Sequence, residues 1–101
     1  MIEIFKGDTL LKTIEPNQNF NDGDSLQIKV FELGSDKIYY EGVINVDIPR
    51  MSVDLEIPAN ITKTFPCVKL ILEIRLTTRS GYVKTNQYNL VVKSRCIHGQ
   101  D

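Results

Sequence analysis

The side chains best suited to chemistry are few and scattered. Of the 101 residues only His98 is a histidine, and only Cys67 and Cys96 are cysteines. A histidine works as a general base or metal ligand when fixed elements hold it within reach of a partner. His98 falls in the stretch Ser94 to Asp101, which has little to bury and reads as a frayed tail. One histidine beside Cys96 does not complete a zinc site, which takes four ligands or three and a water. No C-x-x-C spacing supplies the rest. Catalytic, metal and cofactor residues are therefore not expected.

Two thiols are too few for a disulfide scaffold. If the last hairpin turns at Arg79-Ser80, Cys67 falls opposite roughly Val92. Cys96 then lies on the order of 10 Å further along the strand, beyond disulfide reach, so two free thiols are expected. The oxygen-rich run Asn17 to Asp24 looks like a calcium loop and fails the specific test. Begun at Asn17, an EF-hand has Asp22 where glycine is required and Ile28 where the bidentate glutamate belongs. A solvated turn accounts for it. Lys6-Gly7-Asp8 resembles the tripeptides of some integrin ligands, and a tight turn between two short strands explains it. Asn60-Ile61-Thr62 has the form of a glycosylation sequon, which needs a secreted chain to be modified.

Asp47, Asp54 and Glu56 take the polar parity of their strands, where they solvate a sheet face rather than form an acid–base pair. Lys69, Arg75, Lys84, Lys93 and Arg95 make the last hairpin's polar face basic despite Glu73. With neither a glycine-rich phosphate loop nor a nucleophile elbow, an enzyme is not expected. Tyr39, Tyr40, Tyr82 and Tyr88 have no basic stripe interleaved with them, so they make no nucleic-acid stacking platform. What remains is recognition through protein surfaces. Tyr39, Tyr82 and Tyr88, aromatics with a polar end, and Ile71, apolar on a polar strand face, are the interface candidates. Pairing of edge strands between copies is the other contact mode. Each tyrosine equally suits a half-buried core position.

Bulk composition fits one domain: 42% apolar, 25% charged, Gly 6, Pro 4 and no Trp. A net charge of −1 supplies no field toward nucleic acid or an anionic membrane. No segment approaches the roughly 20 apolar residues of a membrane span. The opening Met1 to Asp8 has an acid inside its short apolar run and reads as neither a secretory signal nor a transit peptide, so folding in the cytoplasm is expected.

Period-two alternation dominates the elements that must position these residues. Val68, Leu70, Leu72, Ile74 and Leu76 share one face, and Ile71 on the other suggests a central strand. Thr78-Arg79-Ser80-Gly81 turns this strand into Tyr82 to Val92, where a parity change near Gln87 predicts a bulge. Leu26, Ile28 and Val30 pair through Leu33-Gly34-Ser35-Asp36 with the long run Lys37 to Ile48, in which Gly42 marks a bend or close backbone approach. Val53, Leu55 and Ile57 form a short amphipathic strand. Between Pro58 and Pro66 a single helical turn or loop is expected, with Ile61 or Phe65 plugging the core's end. Ile2 to Phe5 and Thr9 to Ile14 are two short strands, and Asn17 to Asp24, with Phe20, is a surface loop. About seven short strands with regular turns predict an all-β, antiparallel, immunoglobulin-like sandwich over residues 1–93 and a flexible tail over 94–101, with a barrel or jelly roll as the alternative.

The chain resembles a known group in its longer runs. Phe5-Lys6-Gly7-Asp8-Thr9, Asn21-Asp22-Gly23-Asp24-Ser25-Leu26, Leu55-Glu56-Ile57-Pro58 and the run from Leu72-Glu73-Ile74-Arg75-Leu76 to Gly81-Tyr82-Val83-Lys84-Thr85 are similar to small phage and prophage β-sandwich proteins. The likeness is to the amino-terminal domain of upper baseplate proteins of siphophages infecting Gram-positive bacteria. There an R-G-D-T opening, a G-D before the second long strand, a D-T-x-x-L segment and a final hairpin ending in K-T recur. The resemblance runs from Ile2 to about Lys93; Lys6 replaces the arginine, and Thr64-Phe65-Pro66-Cys67 stands where that family has a glycine-led entry. It implies no catalytic residue. It implies a virion component made in the bacterial host cytoplasm, assembling with other virion proteins and with copies of itself, as a stand-alone adaptor or decoration module of a tail, baseplate or neck. The rival expectation is a carbohydrate-binding or adhesion module of a bacterial surface protein, and a third is a small protein inhibitor.

Overall fold

The computed structural model describes residues 1–15 and 20–94. Arg95, Cys96 and His98, a Cys67–Cys96 pairing and the tail beyond Ser94 lie outside the described residues. The described chain is nearly all β. Its elements are β1 (Ile2–Phe5), β2 (Leu10–Ile14), β3 (Ser25–Phe31), β4 (Ile38–Asn45), β5 (Val53–Ile57), a one-turn helix α1 (Ala59–Thr62), β6 (Lys69–Thr77) and β7 (Val83–Lys93). They form a five-stranded sheet in the order β1-β7-β6-β3-β4 and a two-stranded sheet of β2 and β5.

Alternation sets the faces. In β6, Leu70, Leu72 and Ile74 are buried, as are Leu26, Ile28 and Val30 in β3 and Val53, Leu55 and Ile57 in β5. These join Ile4, Leu10, Leu90 and Val92 in a single cluster fed by both sheets. Each fully buried aliphatic side chain contributes about 1.5–3 kcal/mol against exposure. Of the two plug candidates, Phe65 is fully buried within this core and Ile61 packs against it partly buried.

One pairing departs from the antiparallel expectation. β1 runs parallel to β7, with Ile2 beside Leu90 and Ile4 beside Val92. Parallel partners need a long connection between them, and the first and last strands of the chain supply it. After Phe5 the chain turns, the Asp8 N–H donating to the Phe5 carbonyl at 3.0 Å, and enters the other sheet as β2. The buried Thr62 hydroxyl donates to the Asp8 carbonyl at 2.6 Å, fastening α1 to this crossing.

The expected bulge near Gln87 is absent: β6 and β7 stay in register from Lys69 opposite Val91 to Thr77 opposite Val83. The parity change arises because the distal hairpin reaches past the core. Residues 83–87 are all exposed, Val83 by 52%, so no buried face selects their side chains. The turn is a three-residue loop: the Gly81 N–H donates to the Thr78 carbonyl and the Thr78 N–H to the Tyr82 carbonyl, with Gly81 at φ +95°. That positive φ is the position glycine fills in this hairpin class.

A bulge does occur in β4. Val30 faces Tyr40 and Phe31 faces Ile38, so Tyr39 is the extra residue. The slip turns Ile38 outward, 43% exposed, although the sequence places it on the inward parity with Tyr40 and Ile44. Ile48, also on that parity, lies beyond the strand and is 61% exposed. Phe20, expected on a surface loop, is instead 2% exposed and joins the core. Its backbone pairs with Arg50 in both directions, 2.8 and 3.0 Å, which draws the ring under the sheet.

Candidate interaction surfaces

The four interface candidates do not converge. Tyr39, released inward by the bulge, sets its ring edge-on to Phe65 with centroids 6.2 Å apart. Its hydroxyl donates to Glu32 at 3.4 Å, and the Lys37 ammonium lies 5.0 Å from the ring centroid. Partial burial first, and then the Glu32 carboxylate, hold the Tyr39 phenol above its ordinary value of 10.0. Tyr88 is half-buried on the core-facing side of β7, opposite Leu72, with the Lys12 ammonium 4.4 Å from its centroid. Tyr82 stands at the tip of the β6–β7 hairpin, 61% exposed, and its N–H donates to the Thr78 hydroxyl at 3.0 Å.

Ile71 lies on the opposite, outward face of the five-stranded sheet. It is only 8% exposed and lies outside the main core cluster. The register explains its burial: Ile38, Phe31, Ile71 and Asn89 form one row across β4, β3, β6 and β7. Phe31 and Ile38 thus extend the patch that Ile71 signals, an apolar row across an outward face that also carries Lys29, Glu41, Val43, Glu73, Arg75 and Gln87. Parity in one strand shows Ile71 as an exception; locating its neighbours takes the register and the β4 bulge.

Two hollows border these residues. One, of about 390 Å³, opens between β2 and the distal hairpin, with Lys12, Glu15, Phe20, Lys84, Asn86 and Tyr88 among its walls. The other, about 400 Å³, is a shallow concavity of the outward face along β4, β3 and β6, bounded by Gln27, Lys29, Glu41, Val43, Glu73 and Arg75. Among the described residues no three His, Cys, Asp or Glu side chains gather as metal ligands. No helix among the described residues is long and apolar enough to cross a membrane. In the oxygen-rich loop the buried Asp24 carboxylate already accepts the Asn21 N–H at 2.9 Å and the Arg79 N–H at 3.4 Å, tying this turn to the last hairpin. Thr62 of the sequon is fully buried with its hydroxyl donated to Asp8. Cys67 is exposed as a free thiol.

Of the carboxylates expected to solvate sheet faces, Asp54 and Glu56 are exposed on β5, Asp54 accepting from Thr13 at 2.9 Å. Asp47 lies past the end of β4, off the sheet, and pairs with Arg50 at 2.7 Å. Glu73 accepts from Gln87 at 3.0 Å. A sugar-stacking platform needs a bare aromatic face; a lysine lies over one face of Tyr39 and of Tyr88, and the exposed rings among the described residues are Tyr82 and Phe5. No protein-family model matches the chain, and no curated protein matches it in sequence.

Proposed function

We propose that the chain is a non-enzymatic structural component of a phage or prophage particle, an assembly or adaptor module of its tail, baseplate or neck. The observation that carries this reading is the Ile38-Phe31-Ile71 row on a sheet face with no second layer among the described residues. Such a row suits contact with another protein better than contact with solvent. The resemblance to siphophage baseplate domains gives that protein its class. Its motif residues fall at the β1–β2 crossing, the turn before β3 and the β6–β7 hairpin. We read the two sheets around their shared core as an immunoglobulin-like sandwich, in which the first strand switches sheets at Gly7.

The test is particle composition. Particles purified after induction of the strain that encodes the chain, and quantified by mass spectrometry, are expected to contain it at a fixed ratio to the tail proteins. Its absence from intact particles overturns the reading. The rival, a carbohydrate-binding or adhesion module, rests on the polar cleft beside Tyr88, where Lys12, Lys84 and Asn86 offer donors. Binding on a glycan array that is lost in Tyr88→Ala would put that reading first.

A further inference from the structure

We propose that β4 is a self-pairing edge, through which two copies of this chain join their five-stranded sheets about a two-fold axis at Val43. The proposal holds whether or not the chain belongs to a virus particle. β4 ends the sheet order, so one of its sides has no neighbour among the described strands. The direction of its free backbone groups follows from the ladder. The Val46 N–H donates to the Asp24 carbonyl at 2.9 Å and its carbonyl accepts from Gly23 at 3.0 Å, so both point toward β3. Strand alternation then turns Ile44, Gly42 and Tyr40 toward β3 and leaves the N–H and C=O of Glu41, Val43 and Asn45 at the open edge. The far side of the sheet agrees: carried across the registers, the same alternation requires Thr78 to bond Tyr82 and Lys93 to face β1. The Thr78–Tyr82 bond at 2.8 Å and the Lys6–Lys93 bond at 2.8 Å meet both requirements.

Edges are usually blocked by lysine, proline, short length or like charge. β1 has four residues and β2 carries Lys12 at its centre. β5, paired with itself about Leu55, would set Asp54 opposite Glu56. β4 is the longest edge, eight residues with neither lysine nor proline, and its outward groups lie past the Tyr39 bulge in regular ladder.

Charge selects the register. A two-fold at Glu41 opposes two carboxylates, and one at Ile44 sets Glu41 against Asp47. A two-fold at Gly42 leaves Glu41 beside Val43 of the other copy, with nothing to accept from. Centred on Val43, each Glu41 meets Asn45 of the other copy, whose amide donates to it. Val43, 60% exposed in the single chain, meets its own equivalent. Three directly opposed residue pairs then exchange backbone hydrogen bonds, and no like charges face each other.

Sedimentation equilibrium from about 10 μM to about 1 mM, with amide hydrogen exchange at both ends of that range, tests the proposal. A monomer–dimer equilibrium is expected, with amides of Glu41, Val43 and Asn45 gaining protection as concentration rises. Those of Tyr40, Gly42 and Ile44 are expected to be protected throughout. Val43→Pro removes one outward N–H at a position where an edge strand accepts proline, and loss of the dimer with the β-sheet spectrum retained is expected. Asn45→Asp, an exposed change that leaves folding intact, faces each Glu41 with a carboxylate. It is expected to weaken the dimer about ten-fold at low salt and less at high salt. A wild type that stays monomeric throughout overturns the proposal, as does a dimer that withstands both substitutions.

Discussion

At the scale of single residues, several polar side chains hold a turn or a ring: Asp24, Ser35 and Thr78 accept from turn N–H groups, and Lys12 and Lys37 lie over tyrosine rings. Tyr39 shows the balance. A phenol held above 10.0 by partial burial and by Glu32 is favoured in its neutral form by the fold. Below pH 10 that contribution is complete. As pH rises the unfolded chain ionises first, and the contribution is lost through the folded-state value. The tyrosinate absorbance removed by Tyr39→Phe is expected to titrate above that of a free tyrosine, and Glu32→Gln to bring it down. Equal titration in both backgrounds would show that Glu32 does not act on the phenol. Of the four interface candidates, the sequence identifies Ile71 by parity alone, because one apolar side chain on a polar strand face is visible without a partner strand. It does not show that Phe31 and Ile38 lie beside Ile71, since that depends on register, nor that lysines sit over Tyr39 and Tyr88, since that depends on tertiary placement.

At the scale of elements, the strands are legible wherever a buried face selects every second residue, as in β3, β5 and the proximal half of β6. Legibility fails where that selection stops. The distal β7 parity change mimics a bulge because neither face is buried there, whereas the real bulge at Tyr39 hides in a run of consecutive apolar and aromatic residues, Ile38-Tyr39-Tyr40, that reads equally well in either parity. At Gly42 the close neighbour is a side chain and not the backbone that the sequence reading named: a Cβ there would lie 2.9 Å from the Tyr40 hydroxyl, whose ring folds back over the glycine. Gly81 differs, since a Cβ at that position meets nothing within 4 Å and only its φ of +95° resists substitution. Gly81→Ala is therefore expected to cost about 1 kcal/mol through backbone strain alone. Ser80→Ala, in the same loop, is expected to cost little. Thermal melts of the two variants compare them directly, and equal midpoints would remove the strain assignment.

At the scale of the whole molecule, two sheets of unequal size depend on one core. The two-stranded β2–β5 sheet cannot stand alone, because an isolated pair of strands is marginal in water. It is held by Leu10, Val53, Leu55 and Ile57 against the inner face of the larger sheet. Its chain connections add the crossing after β1, fixed by Thr62, and the Phe20–Arg50 backbone pair. None of this is visible in local sequence: β1 and β2 read as two short strands on either side of a tight turn, while the parallel β1–β7 pairing is a contact between distant segments that no local pattern encodes. If the sheets share a core, they must unfold together. Leu72 lies in the centre of the large sheet and Leu55 in the small one, 0% and 2% exposed. Leu72→Ala and Leu55→Ala are each expected to destabilise by about 2–5 kcal/mol, with a single urea transition seen alike by backbone circular dichroism and tyrosine fluorescence. A Leu55→Ala variant that lost β2 and β5 first, with the five-stranded sheet persisting to higher urea, would show instead that the small sheet docks on a scaffold stable without it.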